Sequence, residues 1–164
     1  MYIFIKAVYK IKSIIKKQFY KCIYRNKIKF GNGVNFRKSV SLASVGGKIE
    51  IGNNVFFNHF CSVYAMNSIK IGAGTIFGEN VKIYDHNHCY SVKNIPIKDQ
   101  GYTSAPIFIG KHCWIASNVT ILKGVTIGDN CVIGAGCTVY KDVPPNTILL
   151  NKQDLIEKPN IPIY

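Results

Sequence analysis

An aliphatic residue recurs at every sixth position through residues 109–143, and this is the strongest pattern in the chain. The recurring residues are Ile109, Ile115, Ile121, Ile127, Ile133 and Val139. A small apolar residue follows four places after each, at Cys113, Val119, Val125, Cys131, Cys137 and Val143. A period of six fits neither the 3.6-residue turn of an α-helix nor the two-residue alternation of a strand with one buried side.

A period of six is typical of a parallel β-helix, in which each hexad forms one short flat strand and one turn. Three hexads close one triangular coil, and the coils stack at about the 4.8 Å spacing of paired strands. The aliphatic residue of each hexad points to the coil axis, and the small residue fits beside it near the corner. The sequence therefore predicts an all-β solenoid over residues 28–150.

The same rhythm is less regular in the first half of the domain. It begins at Ile28, is interrupted at residues 46–47, and shifts by two residues between Ile69 and Ile71. Slips of this size predict lengthened turns on one edge of the triangle. The corner sequences GNN (52–54), GAG (72–74) and GEN (78–80) suit tight turns with left-handed backbone conformations.

The rhythm stops after Ile83 and restarts at Ile107, which leaves an excursion loop at residues 84–106. A long detour from a regular solenoid is usually functional. It begins Asp85-His86-Asn87-His88, so two of the four histidines lie at its start. These two histidines are the first candidates for chemistry.

Residues 2–25 instead have helical periodicity. An apolar stripe at spacings of three and four comprises Phe4, Val8, Ile11, Ile15, Phe19 and Cys22, and the lysines lie mostly off it. We predict a basic amphipathic helix within residues 1–27. It caps the open end of the solenoid or packs on a neighbouring subunit, or it rests on anionic lipid; the roles are compatible. Nucleic-acid binding is not expected, because no recognisable binding motif surrounds the basic residues.

The net charge of +13 belongs to the N-terminal third of the chain. Residues 1–49 contain twelve Lys or Arg and no Asp or Glu, whereas the remainder is nearly neutral. Lysines interrupt every apolar run of residues 1–17, which argues against a signal peptide or a membrane span. The tail, residues 151–164, is polar and contains proline, and we expect it to run back along the surface.

The six cysteines do not indicate a disulfide framework. Cys113, Cys131 and Cys137 occupy the small inward position of their hexads, and Cys61 has the same place in an earlier hexad. A buried thiol there is a small hydrophobic group. We therefore predict reduced structural cysteines in a cytosolic protein. No CxxC pair or zinc-ligand spacing is present in the sequence, and no metal is expected.

The turn Trp114-Ile115-Ala116, the run GVTIGDNCVIGAGCTVYKDVPPN (124–146) and the histidine-bearing loop before them resemble the left-handed β-helix acetyltransferases. The pattern is most similar to the sugar and polysaccharide O-acetyltransferases of the maltose, galactoside and chloramphenicol acetyltransferase group. The resemblance covers residues 28–150, and residues 109–146 are its most specific part. It implies a left-handed coil, acetyl-CoA as the acyl donor, and a homotrimer with active sites between subunits.

The resemblance matches His86 to the family's catalytic histidine, with His88 as the near alternative. A neutral imidazole can take the proton of a sugar hydroxyl as its oxygen attacks the thioester, so no acyl-enzyme is required. Asn58 matches an asparagine that orients the histidine or the acceptor of the adjoining subunit. Other readings remain open: the histidines form a surface hydrogen-bonding cluster or a metal site, and Asn58 is an ordinary corner residue.

The resemblance also implies a coenzyme site. Trp114 packs the sugar or the pantetheine arm, unless it only caps a turn. Ser117 and Ala135 match positions whose backbone lines the pantetheine arm. Tyr140 and Lys141 match the pair beside the far end of CoA, where Lys141 can meet a phosphate. Family members often have threonine where this chain has Tyr140.

The sequence thus favours an O-acetyltransferase that modifies a sugar of a surface polysaccharide, capsule, lipopolysaccharide or a precursor. It is expected in the cytoplasm, either free or peripheral to the inner membrane through the basic helix. One alternative is an acetyltransferase for a small soluble acceptor such as a free sugar, serine or an antibiotic. Another is a non-enzymatic scaffold or metal-binding β-helix, although the spacing of His59, His86 and His88 does not clearly supply three ligands. Measuring the zinc content of the purified protein distinguishes the metal-binding alternative from the acetyltransferase.

Overall fold

The structure is a computed structural model that describes residues 2–152, with side chains from residue 8 onwards. The predicted course of the C-terminal tail therefore lies almost entirely outside the described residues. No helix in the described range is long and apolar enough to cross a membrane.

One long helix precedes a series of short strands. Helix α1 spans Tyr2–Tyr24 and continues into a 3-10 turn at Arg25–Lys27, and a second 3-10 turn lies at Ile97–Asp99. The strands in the described chain are β1 (Ile28–Phe30), β2 (Asn35–Phe36), β3 (Ser41–Ser44), β4 (Lys48–Ile51), β5 (Phe56–Phe57), β6 (Ser62–Ala65), β7 (Ser68–Ile71), β8 (Ile76–Phe77), β9 (Lys82–Tyr84), β10 (His86–His88), β11 (Tyr102–Ser104), β12 (Ile107–Ile109), β13 (Trp114–Ile115), β14 (Thr120–Ile121), β15 (Thr126–Ile127), β16 (Val132–Ile133), β17 (Thr138–Val139) and β18 (Ile148–Leu149).

Three parallel sheets form the faces of a triangular solenoid. The first face has the order β1-β4-β7-β12-β15, the second β2-β5-β8-β13-β16-β18, and the third β3-β6-β9-β14-β17. Consecutive strands of a coil belong to different faces, so the chain passes through the first, second and third face before it returns to the first. This is the predicted parallel β-helix.

The hexad positions form the core of the solenoid. Ile109 pairs with Ile127 on the first face, and Ile115 pairs with Ile133 on the second. Each pair is three hexads apart along the chain, as one triangular coil requires. All four side chains are buried, and none is more than 3% exposed. The inward direction predicted for the aliphatic residue is therefore confirmed.

Stacked aromatic rings replace isoleucines in the second face of the early coils. The rings of Phe36, Phe57 and Phe77 lie on successive coils, with centroids 5.5 Å and 4.6 Å apart. Phe57, in the middle, has no exposed surface. Stacked rings contribute dispersion and buried apolar area at each step of the ladder, so this column stabilises the early coils.

The small inward positions are also buried as predicted. Cys61, Cys113, Cys131 and Cys137 all lie in the core, and all six cysteines are free thiols. Burial raises the pKa of the Cys61 thiol to about 11. Because all four of these thiols are buried in the core, they pack there as small hydrophobic groups.

We call the segments that join the third face to the first the third corner: residues 45–47, 66–67, 85–106, 122–125 and 140–142. Partners on the third face are 21 residues apart for Leu42 and Val63 and 20 apart for Val63 and Ile83. The spacing is 38 from Ile83 to Ile121 and 18 from Ile121 to Val139. The extra residues lie on one edge, between the third face and the first, as predicted. The expected lengthening of turns is wrong for the first two coils, where strands β3, β4, β6 and β7 are lengthened to four residues instead. Only residues 85–106 of the described chain form a long loop on this edge.

Asparagines stabilise the corner that joins the second face to the third, which we call the second corner. Asn80 and Asn118 have φ values of 56° and 61°, in the left-handed region that asparagine tolerates better than most residues. The Asn80 amide also donates a hydrogen bond of 2.8 Å to Oδ1 of Asn118 in the next coil. The corner residue thus serves both the turn and the stacking of coils.

Helix α1 covers the open end of the first coil through polar groups. The Tyr20 hydroxyl donates to the carbonyl of Val40 (3.1 Å) and accepts from the N–H of Leu42 (3.0 Å). The buried Ser13 hydroxyl accepts from the N–H of Phe36 (3.1 Å) and donates to the carbonyl of Val34 (3.3 Å). The first coil has no preceding coil to pair with, so these side chains take the place of ladder partners.

The predicted apolar stripe of α1 is therefore not the face that packs on the solenoid. Ile11, Ile15 and Phe19 are 58%, 64% and 58% exposed. The predicted helix and its capping position are present, but the apolar side points outward. The side chain of Phe4 lies outside the described residues.

Candidate active site

The excursion loop forms a small hairpin at the third corner. Strands β10 and β11 pair in antiparallel fashion, with His86 opposite Ser104 and His88 opposite Tyr102. Residues i and i+2 of a strand lie on the same side, so the two histidines share one side of the hairpin. Gln100 closes the base of the outer loop, since its amide nitrogen donates to the carbonyl of Ile95 at 2.7 Å.

Asp85 anchors this hairpin to the coil below. Its side chain is fully buried. Oδ1 accepts a hydrogen bond from the N–H of Met66, and Oδ2 accepts one from the N–H of Asn67, both at 2.8 Å. Met66 and Asn67 are the third corner of the preceding coil. The carboxylate therefore occupies one orientation at the root of the excursion loop.

The same carboxylate orients His86. Nδ1 of His86 lies 3.1 Å from Oδ1 of Asp85. A carboxylate can only accept in this contact, so Nδ1 carries the proton and the Nε2 lone pair is free. The His86 side chain is 20% exposed. An imidazole with its tautomer and direction fixed by a carboxylate in this way can accept a proton at Nε2.

Aromatic rings enclose His86 on two sides. Tyr84 and Tyr102 meet its ring edge to face, with centroids 6.2 Å and 5.7 Å away. His88 is exposed, and its ring lies 4.4 Å from that of Tyr102. Of the two candidate bases, His86 is therefore the one that contacts the Asp85 carboxylate and is partly covered by tyrosine rings. His88 lies on the solvent side of the same cluster.

The hydrogen bond between Asp85 and His86 was not predicted from the sequence. Neighbouring residues of a regular strand point to opposite sides, so adjacency did not predict contact. The Asp-His dipeptide at the point where the hexad rhythm stops was nevertheless a signal, because the strand ends there and the backbone turns outward.

Three other candidate residues lie at the second corner. Asn58 turns its Oδ1 to the N–H of His59 (2.9 Å). The Ser117 hydroxyl accepts from the N–H of Glu79 at 3.1 Å. Ser117 and Ala135 occupy the same corner in successive coils, because Ile115 pairs with Ile133 two residues before them. These residues form one continuous edge of the prism.

The remaining candidates lie elsewhere. Tyr140 and Lys141 follow the last strand of the third face, so they belong to the third corner with His86, two coils further on. Tyr140 is 67% exposed, and the Lys141 ammonium lies 5.7 Å from its ring centroid. Trp114 opens β13, where its side chain lies on the outer surface of the second face and is 52% exposed.

The structure thus separates the candidates into two groups. His86, Tyr140 and Lys141 lie along the third corner, whereas Asn58, Ser117 and Ala135 lie along the second. The third face stands between the two edges. One copy of the chain brings the members of each group together and does not bring the two groups together.

Within residues 2–152, no group of three His, Cys, Asp or Glu side chains lies close enough to hold a metal ion. The Asp85–His86 contact supplies two such groups, and the remaining Asp85 oxygen already accepts from a backbone N–H.

Comparison with known proteins gives matches in both sequence and structure. Residues 106–141 match the family model of the bacterial transferase hexapeptide (six repeats). The chain is 33% identical over 138 residues to WbbJ of Escherichia coli K12, which is named as a lipopolysaccharide biosynthesis O-acetyl transferase; the match covers 78% of this chain and 70% of WbbJ. It is 40% identical over 105 residues to the galactoside O-acetyltransferase of the same organism, covering 64% of this chain and 51% of that enzyme.

A similar solved structure is a hexapeptide-repeat acetyltransferase from Vibrio cholerae in complex with acetyl-CoA. It superposes with a TM-score of 0.65 at 25% identity, over 82% of this chain and 73% of that protein. The relatives extend beyond the matched region, since this chain spans about half of the galactoside enzyme.

Proposed function

Since the chain belongs to the hexapeptide-repeat acetyltransferases, whose left-handed parallel β-helix it shares, we propose that it transfers an acetyl group from acetyl-CoA to a sugar hydroxyl. The acceptor is a sugar of a surface polysaccharide, capsule, lipopolysaccharide or one of their precursors. The observation that carries this proposal is the Asp85–His86 pair, an oriented imidazole at the root of the only long excursion in the described solenoid.

The proposed reaction is a direct transfer with His86 as general base. Nε2 of His86 takes the proton of the acceptor hydroxyl as its oxygen bonds to the thioester carbonyl carbon. The tetrahedral intermediate then collapses, the C–S bond breaks, and the imidazolium returns its proton to the sulfur of CoA. Asp85 keeps Nδ1 protonated and stabilises the imidazolium that forms between the two steps.

The division of the candidate residues supports a homotrimeric site. A site that uses both groups requires the second corner of one copy to face the third corner of another. Asn58 then approaches His86 of the adjoining subunit, and Ser117 and Ala135 line the pantetheine arm. Tyr140 and Lys141 lie toward the far end of CoA, and Trp114 flanks the channel. The exposed apolar residues of the excursion, Tyr90, Val92, Ile95 and Ile97, supply a surface for such contact.

The choice of acceptor rests on the relatives and on charge. WbbJ is named for lipopolysaccharide biosynthesis, and the galactoside enzyme for a small sugar. The first 49 residues carry twelve cations and no carboxylate, which favours an acceptor held at an anionic surface over a free sugar in solution. We place the reaction in the cytoplasm, at the inner face of the membrane.

The test is turnover of acetyl-CoA by the purified full chain, followed as release of the CoA thiol, with lipid-linked glycan precursors and free galactosides as alternative acceptors. We expect release above the hydrolysis background with the glycan precursors, and a particle mass three times the 18.3 kDa of one chain. Turnover only with free sugars selects the small-acceptor alternative. No turnover with any acceptor, together with stoichiometric zinc in the protein, overturns the enzymatic proposal.

Asp85→Asn is expected to lower kcat about 10- to 100-fold with little change in KM for acetyl-CoA, because the base loses its orientation but the coenzyme contacts remain. The measurement is a double-mutant cycle with His86→Ala. If Asp85 acts through His86, its replacement causes no further loss in the His86→Ala background. An equal loss in both backgrounds contradicts the positioning role and indicates only that the carboxylate stabilises the corner at Met66 and Asn67.

A further inference from the structure

The outward face of helix α1 is an apolar surface without a partner in the described chain. Ile11, Ile14, Ile15 and Phe19 are between 47% and 64% exposed. The opposite face is fixed on the first coil by Ser13 and Tyr20, so the helix cannot roll to bury the apolar side. We propose that this face docks on a bilayer that contains anionic lipid.

The charges around the apolar face fit that occupant. At 100° per residue, Lys10 and Lys21 lie on one flank of the face and Lys12 lies on the other, and all three are exposed. An amphipathic helix that lies in a bilayer interface has this pattern, with apolar residues at the centre and cations level with the phosphates. Carboxylates are absent from the first 49 residues, so nothing in this region repels an anionic surface.

Lys16 illustrates how strictly the two sides of the helix are divided. Its ammonium group donates to the carbonyl of Val40 at the open edge of the first coil. Burial lowers the pKa of this lysine. A cation is therefore used on the inward side, where a backbone acceptor must be satisfied, while isoleucines occupy the outward side. Such a division is unexpected for a helix whose only task is to cap the solenoid.

A second copy of the same face is a poorer partner than lipid. Two such helices packed face to face bring their flanking lysines together with no carboxylate of residues 1–49 between them. Each exposed lysine near an anionic bilayer instead raises the partition coefficient of the protein onto the bilayer about five-fold. Charge complementarity therefore favours the bilayer.

Docking in this way sets the direction of the whole solenoid. The helix lies across the end of the first coil, and its apolar face points away from the stack of coils. The coils then rise from the membrane surface, and the excursion loop stands two coils above the docked helix. The inference goes beyond the proposed chemistry, since it does not depend on which acceptor the enzyme uses.

The test is co-sedimentation of the full chain with sucrose-loaded vesicles. One set contains phosphatidylcholine alone, and the other contains three parts phosphatidylcholine to one part phosphatidylglycerol. We expect binding to the anionic vesicles that weakens as salt is raised, and little binding to the neutral ones. Ile15→Ser with Phe19→Ser should lower partitioning at least about ten-fold. Lys10→Gln, Lys12→Gln and Lys21→Gln together should lower it about a hundred-fold.

The matched control is Ile148→Ser. Ile148 is 68% exposed at the opposite end of the solenoid, so its replacement removes a similar apolar side chain and leaves partitioning unchanged. Circular dichroism melts should be similar for all variants, because every changed side chain is on the surface.

Cys22 offers a second, direct readout. It is exposed and lies at the centre of the outward face, whereas Cys89 lies in the excursion loop. In a Cys89→Ser background, an environment-sensitive fluorophore on Cys22 should shift to the blue with anionic vesicles. The same fluorophore on Cys89 in a Cys22→Ser background should not shift. Absence of binding to either vesicle set overturns the proposal. A smaller particle mass for the Ile15→Ser, Phe19→Ser variant, with vesicle binding retained, overturns it in favour of a contact between copies.

Discussion

We expect His86→Ala to lower kcat for acetyl transfer about a thousand-fold and to leave the particle mass and the thermal melt unchanged. A positioned general base typically raises the reaction rate about 10²- to 10⁴-fold. Among the described residues, only His86 has one ring nitrogen hydrogen-bonded to a buried carboxylate and the other nitrogen free. The His86 ring packs edge to face against Tyr84 and Tyr102 and is partly exposed, so its removal disturbs little of the core. Steady-state kinetics with acetyl-CoA saturating give the value.

The matched control is His88→Ala, which removes the same ring two residues away on the same side of the hairpin. We expect less than about a three-fold change in kcat, because His88 is exposed and lies beyond Tyr102. A thousand-fold loss in His88→Ala with normal activity in His86→Ala would move the base to the outer histidine. Normal activity in both variants would remove the hairpin from the mechanism.

The largest effect on stability is expected for Phe57→Ala, which should lower the free energy of unfolding by about 3–5 kcal/mol. The Phe57 ring is fully buried and stacks on Phe36 below and Phe77 above, so its loss leaves a cavity that neither neighbour can fill without leaving its own coil. Urea unfolding followed by circular dichroism measures the change. Phe108→Ala is the control, because that ring is 44% exposed on the outer side of β12, and a loss below about 1 kcal/mol is expected there. Equal losses in the two variants would contradict the ladder as the centre of the core.

The hexad pattern predicted the solenoid because burial in this fold depends on one simple period. Ile109 and Ile115 each face the axis, and their partners in the following coil are Ile127 and Ile133. The same period located the excursion loop, since the rhythm stops after Ile83 and resumes at Ile107. Local sequence was sufficient for these features because each hexad repeats the same environment.

The helix shows where a pattern alone is insufficient. The stripe through Ile11, Ile15 and Phe19 is the most apolar face, and a globular protein usually buries that face. The end of a β-helix instead presents open backbone N–H and C=O groups, which polar side chains such as Ser13 and Tyr20 can satisfy. Sequence periodicity carries no information about that demand.

The site divides in the same way. The position of His86 could be predicted from the break in the rhythm, whereas its contact with Asp85 depends on the register between two coils at one corner. Asn58 and His86 are separated because Asn58 follows a strand of the second face and His86 follows a strand of the third. This difference becomes clear only when the strands are assigned to faces.

The third corner collects nearly all the irregular length of the chain, and this has a consequence for how such a protein can change. Residues inserted there leave the inward pattern of every coil intact, because the next strand re-enters the first face in register. Loops exchanged between relatives at residues 85–106 should therefore transfer acceptor preference without a redesign of the scaffold.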